Sequence, residues 1–165
     1  MRAIVAVDDK WGIGKDGKLL FSVPADMKFF KEKTTGKVVV MGSKTLKSFP
    51  GGLPLKNRTN IVFTSGVPAQ GCLTVRNLAE LFALLKSYDD NDVFIIGGGM
   101  FYKTMLPYCS GALVTKIEAD GEADVFFENL DRASGWKCVA EGDTVISGGY
   151  RMKFTEYKNS DVKKF

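Results

Sequence analysis

A carboxylate, two glycine-marked turns and an arginine are the residues of this chain best placed to do chemistry, because the usual proton carrier is missing. No histidine occurs among the 165 residues, which excludes Ser-His-Asp and Cys-His nucleophilic catalysis, HExxH zinc sites and imidazole proton shuttling. An acid–base step must therefore use a carboxylate, Tyr, Lys or water. Asp26 is the strongest candidate. It follows Pro24 in what reads as the first turn of a helix, where the dipole favours an ordinary exposed acid. Helical spacing, however, puts Phe29 at i+3 and Phe30 at i+4 on its face, so the carboxylate meets aromatic rings. Burial there raises its pKa and suits it to proton chemistry or to pairing with a cationic heterocycle. Arg58 reads either as a surface cation ahead of a strand or as a bidentate clamp for a carboxylate.

Anion chemistry is marked twice. Gly42-Ser43-Lys44-Thr45 follows an apolar run and places N–H groups, hydroxyls and a cation at a helix start; tight strand-to-helix packing would use the same residues. Gly97-Gly98-Gly99, directly after a second apolar run, carries a backbone-entropy cost that close approach of a backbone or a ligand phosphate offsets. Together the two turns point to a phosphate-rich ligand across the carboxyl ends of a sheet. Gly12-Ile13-Gly14-Lys15-Asp16-Gly17 matches GxGxxG, but residues 18–23 have no helical period, and no acidic residue ends the next strand. A flexible glycine-rich loop beside a site, acting as a mobile lid or as plain surface, fits better than a dinucleotide fingerprint.

The elements that must position these residues are legible as short β-branched runs. Eight candidate strands cover residues 3–7, 38–41, 60–63, 73–75, 93–96, 112–117, 137–140 and 150–157. The runs VVVM and VFII are apolar on both faces, as in strands at the centre of a helix-covered sheet. Tyr150, Met152 and Phe154 alternate with Arg151, Lys153 and Thr155, which predicts a half-exposed antiparallel edge. Four helices fit between the strands: one from Pro24, one after Gly42, one opened by the capping box of Asn77 and Glu80, and one from the triple glycine to Pro107. The expected fold is an α/β three-layer domain over residues 1–165, with a mostly parallel eight-stranded sheet and an antiparallel C-terminal edge. Residues 158–165 are a polar tail.

Composition bounds the rest. With 23 basic against 19 acidic residues the net charge is +4, and 45% of the chain is apolar, which argues against disorder and against membrane spanning. The lysines are interleaved with acids, so no nucleic-acid footprint is expected. Cys72, Cys109 and Cys138 form no CxxC pairing, so neither a disulfide framework nor a metal site is expected, and a reducing cytoplasm fits best.

Taken together, these segments resemble dihydrofolate reductase over nearly the whole chain. The likeness is carried by Ile4-Val5-Ala6-Val7, the Gly12 to Gly17 segment, Pro24-Ala25-Asp26-Met27 with Phe29-Phe30-Lys31, and Val40-Met41-Gly42 with Lys44-Thr45. It continues through residues 53–58 before Asn60-Ile61-Val62, then Ile95-Ile96 with the triple glycine and Tyr102, and Thr115-Lys116-Ile117. The resemblance implies NADPH-dependent reduction of 7,8-dihydrofolate to tetrahydrofolate, dihydrofolate and antifolate inhibitors as ligands, and action as a monomer without nucleic-acid or membrane partners. It implies that Asp26, backed by a hydrogen bond from Thr115, supports protonation of the pteridine imine nitrogen. Ile4, Val5, Met27, Phe30 and Ile96 would wall the pteridine and nicotinamide, Leu55 would pack on the benzoyl ring, and Arg58 would hold the α-carboxylate. Ala6, Ile13, Gly14, Gly42, Ser43, Lys44 and Thr45 would line the cofactor together with Gly97, Gly98, Gly99 and Tyr102. Thr64, Ser65 and Arg76 would sit near its 2′-phosphate. Leu19 would tip the closing loop.

The chain also departs from the family's pattern. Leu20 and Phe21 stand where the family often has Pro-Trp, which bears on loop anchoring and on water near the pteridine. Ser43 and Met100 replace common basic residues, and Val125 replaces a common Thr beside Asp124. Two other readings are a pyrimidine reductase of riboflavin synthesis, which would need neither Asp26 on an aromatic helix face nor Arg58 as a clamp, and a catalytically silent nucleotide-binding module.

Overall fold

The computed structural model describes residues 1–165. Twelve strands and four helices alternate along the chain: β1 (Arg2–Val7), β2 (Gly12–Lys15), β3 (Lys18–Leu19), α1 (Pro24–Thr34), β4 (Val38–Gly42), α2 (Ser43–Ser48), β5 (Thr59–Phe63), β6 (Leu73–Val75), α3 (Leu78–Leu85), β7 (Val93–Gly97), α4 (Gly99–Met105), β8 (Gly111–Ile117), β9 (Val125–Phe126), β10 (Trp136–Glu141), β11 (Val145–Ser147) and β12 (Tyr150–Asn159). The main sheet has the order β10-β12-β8-β1-β7-β4-β5-β6, with β11 added along β12. From β8 to β6 every pairing is parallel, whereas β12 and its partners are antiparallel.

All eight strands read from the sequence lie in this sheet. The two runs apolar on both faces, β4 and β7, are neighbours at its centre. Strand alternation divides the core into layers. Ala3, Val5 and Val7 point into one layer with Leu81 and Leu85 of α3 and Phe101 and Met105 of α4. Ile4 points to the opposite layer with Met41, Leu46 and Ile96, against which Phe29 and Phe30 of α1 pack. Burying each such large side chain contributes roughly 1.5–3 kcal/mol.

The glycine-rich segment is the main correction to the sequence reading. It is not a structureless loop: β2 and β3 form a hairpin that joins β9 in a separate three-stranded sheet. Asp16 and Gly17 both have positive φ, 51° and 76°, as a two-residue hairpin turn of the right twist requires. An Asp-Gly pair is itself the sequence signal for that turn.

Helix ends also show where local and distant contacts share the work. In α3, Asn77 accepts the N–H of Glu80 at 2.9 Å, while the Glu80 carboxylate reaches one residue beyond the cap to the N–H of Arg76 at 2.8 Å. In α1, Pro24 has no N–H and needs no acceptor, and the Ala25 N–H donates to Ser147 Oγ at 3.1 Å, from β11 far along the chain.

Candidate active site

Asp26 stands in the first turn of α1, half-buried, with its carboxylate turned to β8. Thr115 Oγ1 donates to Asp26 Oδ1 at 2.7 Å. Thr115 is buried, and register places it beside Ala6 of β1. Burial raises the Asp26 pKa above the ordinary carboxylate value, and the Thr115 hydrogen bond offsets part of that rise. Tyr102 lies nearby: its phenol is pushed up by burial and secondarily by the Asp26 charge, so it stays a neutral donor, and it donates to the Ile4 carbonyl at 2.7 Å.

The predicted wall residues divide by layer. Ile4, Ile96, Phe30 and Leu55 share one apolar cluster, joined by Phe49, which the sequence reading did not single out. Val5, Ile13 and Tyr102 point their side chains into the other layer, so those side chains do not share the slot of Ile4. Adjacent residues of a strand face opposite ways. Ala6 and Phe21 belong to a third cluster with Val23, Ile117 and Met152, where Phe21 meets Tyr150 edge-on at 5.1 Å. Met27 is exposed at the helix start and accepts a contact from Ser22 Oγ at 3.3 Å. Leu19 is 73% exposed at the tip region of the hairpin.

At the opposite end of α1, Arg58 is half-buried, and burial lowers its pKa without discharging it. Its Nε donates to the Lys56 carbonyl at 2.9 Å and one Nη to Thr34 Oγ1 at 3.3 Å. Thr34 is itself buried and donates to the Phe30 carbonyl at 2.8 Å. Apolar residues therefore lie between a carboxylate at the start of α1 and a guanidinium at its end.

The glycine turns meet side by side at the carboxyl ends of β4 and β7. A Cβ on Gly42 would lie 3.9 Å from the Gly98 nitrogen, and one on Gly97, whose φ is 144°, would lie 2.9 Å from Thr45 Oγ1. A Cβ on Gly99 would overlap Val125 Cγ1 at 2.5 Å. The close approach expected of the triple glycine is thus to Thr45 of α2 and Val125 of β9. Ser43 is half-buried beside them, while Lys44 and Met100 project to solvent. Gly14 is packed in the hairpin, where a Cβ would meet the Lys18 carbonyl at 3.2 Å. Across the sheet, Thr64 follows β5 and pairs its N–H with Val75 of β6, and Arg76 donates to the Ser65 carbonyl at 3.3 Å. Neither Lys44 nor Arg76 belongs to any of the ion pairs. Four neighbouring parallel strands, β7, β4, β5 and β6, so deliver hydroxyls, two free cations and a glycine turn to one edge, a donor set that fits a phosphate-bearing dinucleotide.

Two buried polar side chains that sequence reasoning missed hold the loops around this cleft. Asp8 accepts the N–H groups of Lys10 and Gly12 at 2.9 and 2.7 Å and that of Gly121 at 3.0 Å, tying β1 to the hairpin and to the segment before β9. Asn60 holds Leu55 and Arg58. Asp124 adds a further tie, accepting the Asp16 N–H at 3.0 Å. No cluster of metal-ligating side chains is present.

Comparison with known proteins places this geometry in context. A family model described as dihydrofolate reductase matches residues 1–159. The dihydrofolate reductase of Bacillus subtilis (strain 168) is 34% identical over 165 residues, covering 98% of this chain and 95% of that protein. That of Haemophilus influenzae is 31% identical over 150 residues, covering 90% and 82%. Among solved structures, dihydrofolate reductase from Enterococcus faecalis, complexed with NADP(H) and RAB-propyl, superposes with a TM-score of 0.86 at 36% identity, covering 97% of this chain and 96% of that one.

Proposed function

Because this chain belongs to the dihydrofolate reductase family, we propose that Asp26 and Thr115 govern its proton chemistry and that Arg58 orients its substrate. The enzyme reduces 7,8-dihydrofolate to tetrahydrofolate with NADPH. Bound NADPH supplies a hydride to the pteridine, and the chain's own task is to manage the proton that completes addition to the imine. The Asp26–Thr115 hydrogen bond of 2.7 Å carries this reading. It fixes one carboxylate oxygen and leaves the other for the amino and ring nitrogens of the substrate. Burial keeps the proton on this group to higher pH than water would, the direction that support for substrate protonation requires.

Ile4, Phe30 and Ile96 exclude water from the pteridine, Leu55 packs on the benzoyl ring, and Arg58 receives the α-carboxylate through its remaining N–H groups. Gly42, Ser43, Lys44, Thr45 and Gly97 to Gly99 would hold the cofactor's phosphates, with Thr64, Ser65 and Arg76 toward its 2′-phosphate. The small sheet of β2, β3 and β9 closes the cleft, with Leu19 at its tip. One sheet runs from near the first residue to Asn159, and we take residues 1–165 as one domain acting as a monomer. Its cysteines are unpaired, which suits a reducing cytoplasm. No helix is long and apolar enough to cross a membrane.

Family membership sets aside the riboflavin-pathway pyrimidine reductase. Loss of NADPH absorbance on adding dihydrofolate, abolished by methotrexate, tests the activity. NADPH binding without turnover or methotrexate binding would return the silent-module reading.

A further inference from the structure

We propose that Asn60 is a positioning residue for the anionic end of the substrate, acting through the segment from Leu55 to Arg58 that it holds against β5. Asn60 is only 4% exposed, yet it carries a polar amide. All of its hydrogen-bonding effort goes to this segment. Its Oδ1 accepts the Leu55 N–H at 3.0 Å, and its Nδ2 donates to the carbonyls of Leu55 at 2.9 Å and Arg58 at 3.2 Å. One side chain thus pairs both polar groups of the Leu55 backbone, as a neighbouring strand would, where no strand is present. No other hydrogen bond reaches the Leu55 backbone.

The segment needs this support. It turns through Asn57 at φ 60°, an uncommon conformation for a residue with a side chain, and its other backbone ties are the Asn57 carbonyl, which accepts the Gly36 N–H, and the Lys56 carbonyl, which accepts Arg58 Nε. It carries two of the groups assigned above to the substrate's tail, the Leu55 side chain in the apolar cluster and the Arg58 guanidinium. Asn60 bonds to the backbone at both, so releasing it frees both contacts together while leaving Asp26 and the glycine turns untouched. Small misplacements of a binding group weaken an oriented contact disproportionately.

The inference rests on the reading of Arg58 as the carboxylate clamp. Its test uses the full chain with Asn60→Leu, which keeps the side chain's approximate size without its hydrogen bonds, and Arg58→Ala in parallel. We expect Asn60→Leu to raise KM for dihydrofolate about tenfold with kcat held within about twofold, the signature of lost uniform binding. The kcat/KM for a dihydropterin without the benzoylglutamate tail, and the Kd for NADPH, should both stay within about twofold. A merely structural defect would lower all of these together. If Asn60→Leu does not fold, Asn60→Asp serves by the same criteria, since it retains the acceptor for Leu55 but, ionised, cannot donate to the two carbonyls. Unchanged KM, or equal losses for tailed and tail-less substrates, overturns the role of Asn60 while a selective loss in Arg58→Ala leaves the clamp standing. An Arg58→Ala enzyme with unchanged dihydrofolate KM removes the clamp and this inference with it.

Discussion

Replacing Asp26 with Asn separates the two consequences of burying a carboxylate, because it removes the titratable proton and keeps the side chain's outline. The oxygen that receives the Thr115 hydroxyl at 2.7 Å survives as an amide oxygen, so the β8 contact is retained. What is lost is acid–base function, which is worth about 10²–10⁴ in rate, or roughly 3–5 kcal/mol of barrier. Turnover of dihydrofolate at pH 7 should fall by that factor with the Kd for NADPH unchanged. The deficit should narrow in acid, where substrate protonated in solution needs less help. Stability should move the other way. The folded pKa of Asp26 lies above its ordinary value of 3.8, chiefly through burial, so its contribution to stability is fully present below that value and is lost as pH rises through the folded pKa. Asn has no charged form to bury. The variant's Tm should therefore match the wild type below pH 3.8, exceed it increasingly as pH rises from there to the folded pKa, and keep a constant advantage above it. Turnover followed by NADPH absorbance across pH, with thermal melts in the same buffers, checks both arms. Wild-type turnover at pH 7 and above, or a Tm advantage that shrinks with rising pH, would refute the reasoning.

Thr115→Val removes the hydrogen bond that holds the Asp26 pKa down, so the limb of the kcat/KM profile set by Asp26 should shift to higher pH, at a stability cost of about 1 kcal/mol; an unmoved limb in a pH-rate series counts against the pair. Gly99→Ala would place a methyl 2.5 Å from Val125 Cγ1, and overpacking of about 1–3 kcal/mol should weaken NADPH binding in a calorimetric titration. Adding Val125→Ala should restore that binding, and a double variant no better than the single one would mean the contact is not the cause. Cofactor choice should follow charge at the carboxyl ends of β4 and β6: Arg76→Ala should narrow the NADPH over NADH ratio of kcat/KM and Ser43→Arg should widen it, each by tenfold per about 1.4 kcal/mol. Fixed ionic strength is needed because such contacts are screened, and a ratio indifferent to Arg76→Ala would leave the preference to Lys44 or to backbone amides.

Much of this fold is written locally. Each strand of the main sheet from β1 to β10 and β12 is a run whose residue types favour extended backbone, and the central place of β4 and β7 follows from runs that are apolar on both faces. Pro24, Asn77 and Pro107 mark helix boundaries through effects within a few residues. The strands that sequence reading missed have two to four residues, too few to establish a period, although Asp16-Gly17 announced the β2–β3 hairpin.

The candidate site was legible only as an inventory. Asp26, Arg58 and the glycine turns can be picked out by type and spacing, and the aromatic neighbours of Asp26 follow from the helical period. Which of them converge was decided by strand order, since β1 lies between β7 and β8 through pairings with segments about ninety to one hundred and ten residues away. Thr115 reaches Asp26 across 89 positions, Asp8 reaches Gly121 across 113, and Ser147 caps α1 across 122. Nothing in the local composition around Asp8, in a loop, or Asn60, at the start of a strand, distinguishes them from ordinary exposed polars. Their burial, and hence their hold on the lid and on the Arg58 segment, exists only once the sheet has closed around them, because a polar side chain is kept from water only where the assembled backbone supplies the hydrogen bonds that water would have made.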